Sequence, residues 1–134
     1  FLSTDSLGRR RRASGTLPPP EQHDQEETHQ RAEDAGLRAE GATVAAFDPE
    51  GMKNVQKMKG DIVRYANDEY DALKDADALI ICTEWAEFRT PDMERVKSAL
   101  KKPIIFDGRN LYELDAMKDK GFTYVSIGRN VVNA

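Results

Sequence analysis

Residues 76–110 read ADALIICTEWAEFRTPDMERVKSALKKPIIFDGRN. Two apolar runs, Ala78 to Cys82 and Pro103 to Phe106, enclose a stretch in which Met93, Val96 and Leu100 recur at helical spacing. Continuous apolar runs of this length predict strands covered on both faces. Thr90 is the expected helix cap, with Pro91 in the first helical position. A strand, a helix of about ten residues and a second strand make a parallel crossover unit.

The same alternation extends outward. Thr43 to Phe47 predicts a strand stopped at Asp48-Pro49, with Asp48 capping a helix that carries Met52, Val55 and Met58 and ends at Gly60. Asp61 to Tyr65 predicts the next strand, and Asn67 the cap of a short helix with Tyr70, Ala72 and Leu73 inside. Leu111 to Lys120 reads as a helix closed by Gly121, and Thr123 to Ile127 as the last strand. The expected fold class is α/β, a Rossmann-like three-layer domain with a mostly parallel sheet.

Composition narrows the function classes. The chain has 134 residues with 20 basic and 24 acidic side chains, and its net charge of −4 argues against a nucleic-acid binder. Mean hydropathy is −0.69, and no apolar run approaches the roughly 18 residues of a membrane span, so no membrane partner is expected. Polar residues follow Phe1-Leu2 where a signal peptide would have its apolar region. One cysteine, Cys82, excludes an internal disulfide and suits a cytoplasmic setting. With His23 and His29 it makes too sparse a set for a zinc site, and no metal is expected.

Residues 1–36 differ in character. Their large apolar side chains are Phe1, Leu2, Leu7 and Leu17, too few to offset the entropy of ordering, so this segment is expected to be disordered. Gln25 to Gly41 contains helix formers enough for a marginal helix. Arg9 to Arg12 reads as a solvated charge run, since no aromatic residue is interleaved.

In an open parallel sheet, ligands bind beyond the carboxyl ends of the strands. Two loops there carry unusual residues: Thr83-Glu84-Trp85 and Asp107-Gly108-Arg109-Asn110. Asp107-Gly108 is turn chemistry, with the glycine free to take positive φ. Arg109 at that edge suits a phosphate or pyrophosphate. Its alternative is an ion pair with Asp107 or Glu113. Trp85, the single tryptophan, either stacks on a ligand or caps the core with Phe88, and Glu84 either lines the site or accepts a structural hydrogen bond. Asp48 has the position of a ribose-binding acid, but without an upstream G-x-G-x-x-G it reads as a helix cap. Cys82, with no basic residue near in sequence, reads as an inert thiol, and no catalytic residue is expected in the chain.

Four blocks occur in order: V-A-A-F-D-P-E at 44–50, A-D-A-L-I-I-C-T-E-W at 76–85, P-I-I-F-D-G-R-N at 103–110 and G-F-T-Y-V-S-I-G-R at 121–129. Together, residues 37–129 resemble the C-terminal UDP-binding domain of UDP-glucose 6-dehydrogenases, within the UDP-glucose/GDP-mannose dehydrogenase family. The resemblance implies a fragment of an NAD-dependent oxidoreductase that converts UDP-glucose to UDP-glucuronate and acts as a homo-oligomer. The NAD domain and the catalytic cysteine would lie outside this chain, which would not be catalytic alone. Arg109 would contact the UDP-sugar substrate, with Asp107, Gly108, Trp85 and Glu84 lining the site. The same domain of a GDP-mannose or UDP-N-acetylhexosamine dehydrogenase, or a non-catalytic nucleotide-binding module, are the alternatives.

The chain also departs from that family. The family's opening strand, its lysine-bearing F-K-P motif and the T-D-D-x-R run find no counterpart in residues 1–36. The expected division is therefore a non-family segment at 1–36, as from a truncated or frame-disrupted reading frame, and the UDP-binding domain at 37–134. A central strand between those at 43–47 and 78–82 is then missing or replaced. Either the two flanking strands pair directly, the Phe1 to Thr4 end substitutes, or an apolar edge stays open, with low stability as the consequence.

Overall fold

The apolar runs become the strands of one twisted sheet, as their lack of polar alternation requires. The computed structural model describes residues 2–5, 41–53, 56 and 63–134. In chain order the elements are β1 (Leu2–Asp5), β2 (Thr43–Ala46), β3 (Arg64–Tyr65), α1 (Glu69–Leu73), β4 (Ala78–Ile81), α2 (Ala86–Arg89), α3 (Met93–Ala99), β5 (Ile104–Asp107), α4 (Leu114–Asp119) and β6 (Thr123–Ser126). The strands lie in the order β3-β2-β1-β4-β5-β6. That order reverses beside β1, which is the switch point of a Rossmann-type sheet. The α/β reading with a mostly parallel sheet holds. Arg9 to Arg12, the marginal helix up to residue 40, Val55, Met58, Gly60 and the first half of the 61–65 strand lie outside the described residues.

The central position is filled, and by the chain's own beginning. β1 pairs antiparallel with β2 over Leu2 to Asp5 and with β4 over Leu2 to Thr4, whereas β2·β3, β4·β5 and β5·β6 are parallel. The expectation of disorder therefore does not apply to these residues. It rested on scarce apolar side chains, but a strand bonded on both edges is held through its backbone. Without it, β2 and β4 would each present a row of unpaired N–H and C=O groups inside the sheet.

Helix starts shift from the expected positions, the cap falling to a carboxylate one or two residues further on. At α1 the cap is Asp68 rather than Asn67: its Oδ1 accepts from the N–H groups of Tyr70 (2.9 Å) and Asp71 (2.8 Å). Asn67 instead donates its backbone N–H to the Asp71 carboxylate. That bond, with the Arg64 guanidinium, holds the Asp71 carboxyl below its ordinary range. At α3 the cap is Asp92 rather than Thr90, with Oδ1 receiving Glu94 N–H (3.1 Å) and Arg95 N–H (3.2 Å). α1 and α3 are tied together where Asp92 N–H donates to the Tyr70 hydroxyl and the Arg95 guanidinium lies 3.7 Å from the Tyr70 ring centre. α4 starts at Leu114, three residues later than expected, and Gly121 closes it at φ +73. The short α2 falls where a loop was expected.

One sheet face carries the main core. Leu79, Ile81, Ile105 and Tyr124 point there and meet Leu73, Phe88, Val96, Tyr112, Met117 and Phe122. A smaller cluster of Val44, Ala46 and Val63, with Ile80 and Cys82 against it, marks the opposite face. β5 is not covered on both sides as its apolar run suggested, for Phe106 is 43% exposed. Period-two alternation sends Ile105 under the helices and Phe106 to the other face.

Two predictions follow from these contacts. Deleting residues 1–5 exposes both inner edges. Each ladder bond is worth about 1 kcal/mol net, so their sum is a large part of a domain's stability of about 5–15 kcal/mol. The truncated chain should lose its cooperative thermal transition by circular dichroism and elute as aggregates; an unchanged melt would mean that β1 adds nothing. Burial pushes the Tyr112 phenol up, and burial followed by a hydrogen bond to Asp107 pushes Tyr124 up to about 12. A phenol raised in the folded state contributes stability that is complete below its unfolded pKa of about 10 and lost as pH rises toward the folded value. Phenolate absorbance should show Tyr112 and Tyr124 ionising only as the chain unfolds in alkali.

Candidate functional site

β5 ends on a carboxylate that is almost wholly buried: Asp107 is 2% exposed. A charge in that place must be hydrogen-bonded. Its Oδ1 accepts from Arg109 N–H (2.8 Å), and its Oδ2 accepts from Leu111 N–H (2.7 Å) and from the Tyr124 hydroxyl (2.7 Å). The first two bonds fold residues 107–111 into a tight turn, and the third fastens that turn to β6.

Two neighbours complete the fixing. Gly108 N–H donates to Ile81 O at 2.9 Å, and a Cβ on Gly108 would stand 3.1 Å from that oxygen. The glycine is thus required by close approach to the end of β4, not by positive φ as expected. The left-handed residue of the turn is Asn110, at φ 55. Its side-chain amide pairs with both backbone groups of Ile127 at the β6 exit, Nδ2 donating to Ile127 O (3.1 Å) and Oδ1 accepting from Ile127 N–H (2.9 Å). The loop is anchored to β4 on one side and β6 on the other.

Arg109 is exposed at the tip of this loop. Among the described residues its guanidinium forms no ion pair, so neither the Asp107 nor the Glu113 pairing occurs. Asp107 is unavailable because its oxygens already serve the backbone and Tyr124. A second arginine, not singled out from the sequence, stands beyond β6. Arg129 is half-buried; its Nη2 donates to the Tyr124 hydroxyl (3.0 Å) and its Nε to Ser126 Oγ (3.0 Å). The available signal was its place just past the last predicted strand.

The β4 exit is organised differently. Trp85 occupies the N-cap position of α2 and is half-buried against the main core, above the fully buried Phe88. Its Nε1 and the Thr83 hydroxyl are buried without a hydrogen-bond partner among the described residues. Glu84 is exposed and pairs with Arg89 at 3.4 Å, a surface contact of little energetic weight. No hydrogen bond, ion pair or ring contact joins Trp85 or Glu84 to Arg109 among the described residues. The structure thus brings Asp107, Gly108 and Arg109 into one unit, while Trp85 and Glu84 belong to the adjacent loop. Asp48 closes the turn that follows β2, its Oδ1 accepting from Glu50 N–H (3.0 Å) and Gly51 N–H (2.8 Å). Cys82 lies half-buried against the smaller apolar cluster.

Comparison with known proteins gives a concordant picture. The sequence model of the UDP-glucose/GDP-mannose dehydrogenase family, UDP binding domain, matches residues 21–114. The match begins within the segment read above as lying outside the family. A UDP-glucose 6-dehydrogenase of Rhizobium meliloti (strain 1021) is 47% identical over 93 residues, covering 69% of this chain and 21% of the relative. The UDP-glucose 6-dehydrogenase TuaD of Bacillus subtilis (strain 168) is 42% identical over 96 residues, covering 72% of this chain and 21% of the relative. The crystal structure of an NDP-N-acetyl-D-galactosaminuronic acid dehydrogenase from Methanosarcina mazei Go1 overlaps 87% of this chain and 34% of its own, at TM-score 0.45 and 17% identity. The chain spans about one fifth of the length of the curated relatives it matches. With the family model covering most of its length and near-half identity to its relatives, the chain belongs to the UDP-glucose/GDP-mannose dehydrogenase family and corresponds to its UDP binding domain.

Proposed function

We propose that this domain binds the UDP portion of a nucleotide sugar and that the Arg109 guanidinium takes its phosphates. The observation that carries this is an exposed guanidinium, unpaired among the described residues, on a loop whose backbone is tied to Asp107, Ile81 and Ile127 at the ligand edge of the sheet. A loop held this way needs no ordering of its backbone on binding, and charge-assisted bonds to phosphate are the strong ones. Asp107 and Gly108 shape the loop, while Thr83, Glu84 and Trp85 form the neighbouring wall.

In this reading the domain is the substrate-binding part of a longer, cytoplasmic and homo-oligomeric protein that oxidises UDP-glucose to UDP-glucuronate with NAD. The names of its relatives support the reaction, and the lone thiol supports the compartment. The dinucleotide belongs to another part of that protein. Here Asp48, which the sequence placed where a ribose-binding acid would stand, spends Oδ1 on the turn that follows β2.

Isothermal titration of the chain with UDP and UDP-glucose tests the proposal. Arg109→Ala should weaken both by about tenfold or more, the loss of about 1.4 kcal/mol expected for one charge-assisted contact. Binding should fall with added salt, and GDP-mannose should bind more weakly than UDP-glucose. A wild-type chain with no affinity for UDP, or an Arg109→Ala chain with unchanged affinity, would overturn the assignment.

A further inference from the structure

We propose that Arg129 is a second cationic group of this site, and that the two guanidiniums together select a diphosphate over a monophosphate. The inference rests on the UDP-binding reading above and extends it to a residue outside the D-G-R-N loop. β5 and β6 end together, with Asp107 opposite Ser126 in the parallel register. Arg109 follows the first by two residues and Arg129 the second by three, and the amide pair between Asn110 and Ile127 holds these two exits side by side. Both arginines therefore leave the sheet at the same edge.

Their supports are continuous. The Tyr124 hydroxyl receives Arg129 Nη2 and donates to Asp107 Oδ2, while Asp107 Oδ1 holds the Arg109 N–H. Arg129 also lies 5.7 Å from the Tyr124 ring centre. Nε and Nη2 have neutral oxygen partners, which fixes the plane of the guanidinium. Nη1 has no partner among the described residues, and no carboxylate pairs with Arg129 there. Asp107, the nearest acid along this chain of bonds, already receives three donors. The buried carboxylate thus has no oxygen left for Arg129, whose charge is unpaired among the described residues. A monophosphate is satisfied by Arg109 alone, whereas a diphosphate supplies a second set of oxygens for the donor face of Arg129.

The other role open to Arg129 is a purely structural tie for Tyr124, and the two roles separate experimentally. Wild-type chain and the variants Arg129→Gln, Arg129→Lys and Arg109→Ala are titrated with UDP and with UMP, and thermal midpoints are taken alongside. The wild type should prefer UDP by about tenfold. Arg129→Gln should lose most of that preference through weaker UDP binding while its UMP affinity stays within about twofold, and Arg129→Lys, which keeps the charge, should recover part of it. Guanidinium proton resonances of Arg129 in the wild-type chain, a readout that needs no variant to fold, should shift with UDP and not with UMP. An unchanged UDP-to-UMP ratio in Arg129→Gln, or Arg129 resonances indifferent to UDP, would overturn the proposal and leave the role of Arg109 standing. A wild-type chain that binds neither nucleotide would overturn the UDP-binding reading, and this one with it.

Discussion

A single buried carboxylate organises the candidate site at the carboxyl edge of this sheet. Asp107 stands at the end of β5 almost without solvent, so its charge is tolerable only while N–H and O–H donors surround it. The donors it recruits are the backbone of the loop that follows and the hydroxyl of Tyr124 on the next strand. Solvating the acid and shaping the loop are one event. Because the carboxylate is consumed in this way, it cannot neutralise Arg109, and a guanidinium is left facing water where strands end.

The same constraint, that buried polar groups must be paired, governs the centre of the sheet. β2 and β4 run in the same direction with a strand's width between them, and neither can leave its backbone unsatisfied. The chain answers with Leu2–Asp5, laid in against the direction of its neighbours. An antiparallel strand meets the hydrogen-bonding demand as well as a parallel one. The sheet thereby keeps the strand order of a Rossmann-type domain although one member is reversed.

The candidate site was partly legible before any coordinates. Turn chemistry at Asp107-Gly108 beyond an apolar run placed Arg109 at the ligand edge, since strand direction and the crossover rule are local consequences of the pattern. The wrong details were those that depend on contacts between distant residues. Gly108 is needed for its approach to Ile81, 27 positions upstream, and not for its own torsion. Trp85 sits against the core, one of the two roles its place in the loop left open. Arg129 escaped notice because its proximity to Arg109 arises only when β5 and β6 pair. Asp68 and Asp92 displaced Asn67 and Thr90 as caps by one and two residues, a choice among neighbouring oxygen-bearing side chains that propensity resolves poorly.

What the sequence alone determined was the strands from residue 43 onward, the helices at 69–73, 93–99 and 114–119, and the arginine-bearing loop beyond β5. Those features follow from short-range patterning: apolar runs, spacing of buried residues along helices, and turn residues. Tertiary structure alone decided which segment fills the middle of the sheet and in which direction, which face of β5 is covered, and that two arginines 20 positions apart share one edge. Each depends on backbone and side-chain groups far apart in the chain finding partners. The need to satisfy them is written locally, but the partner is chosen only by the packed whole.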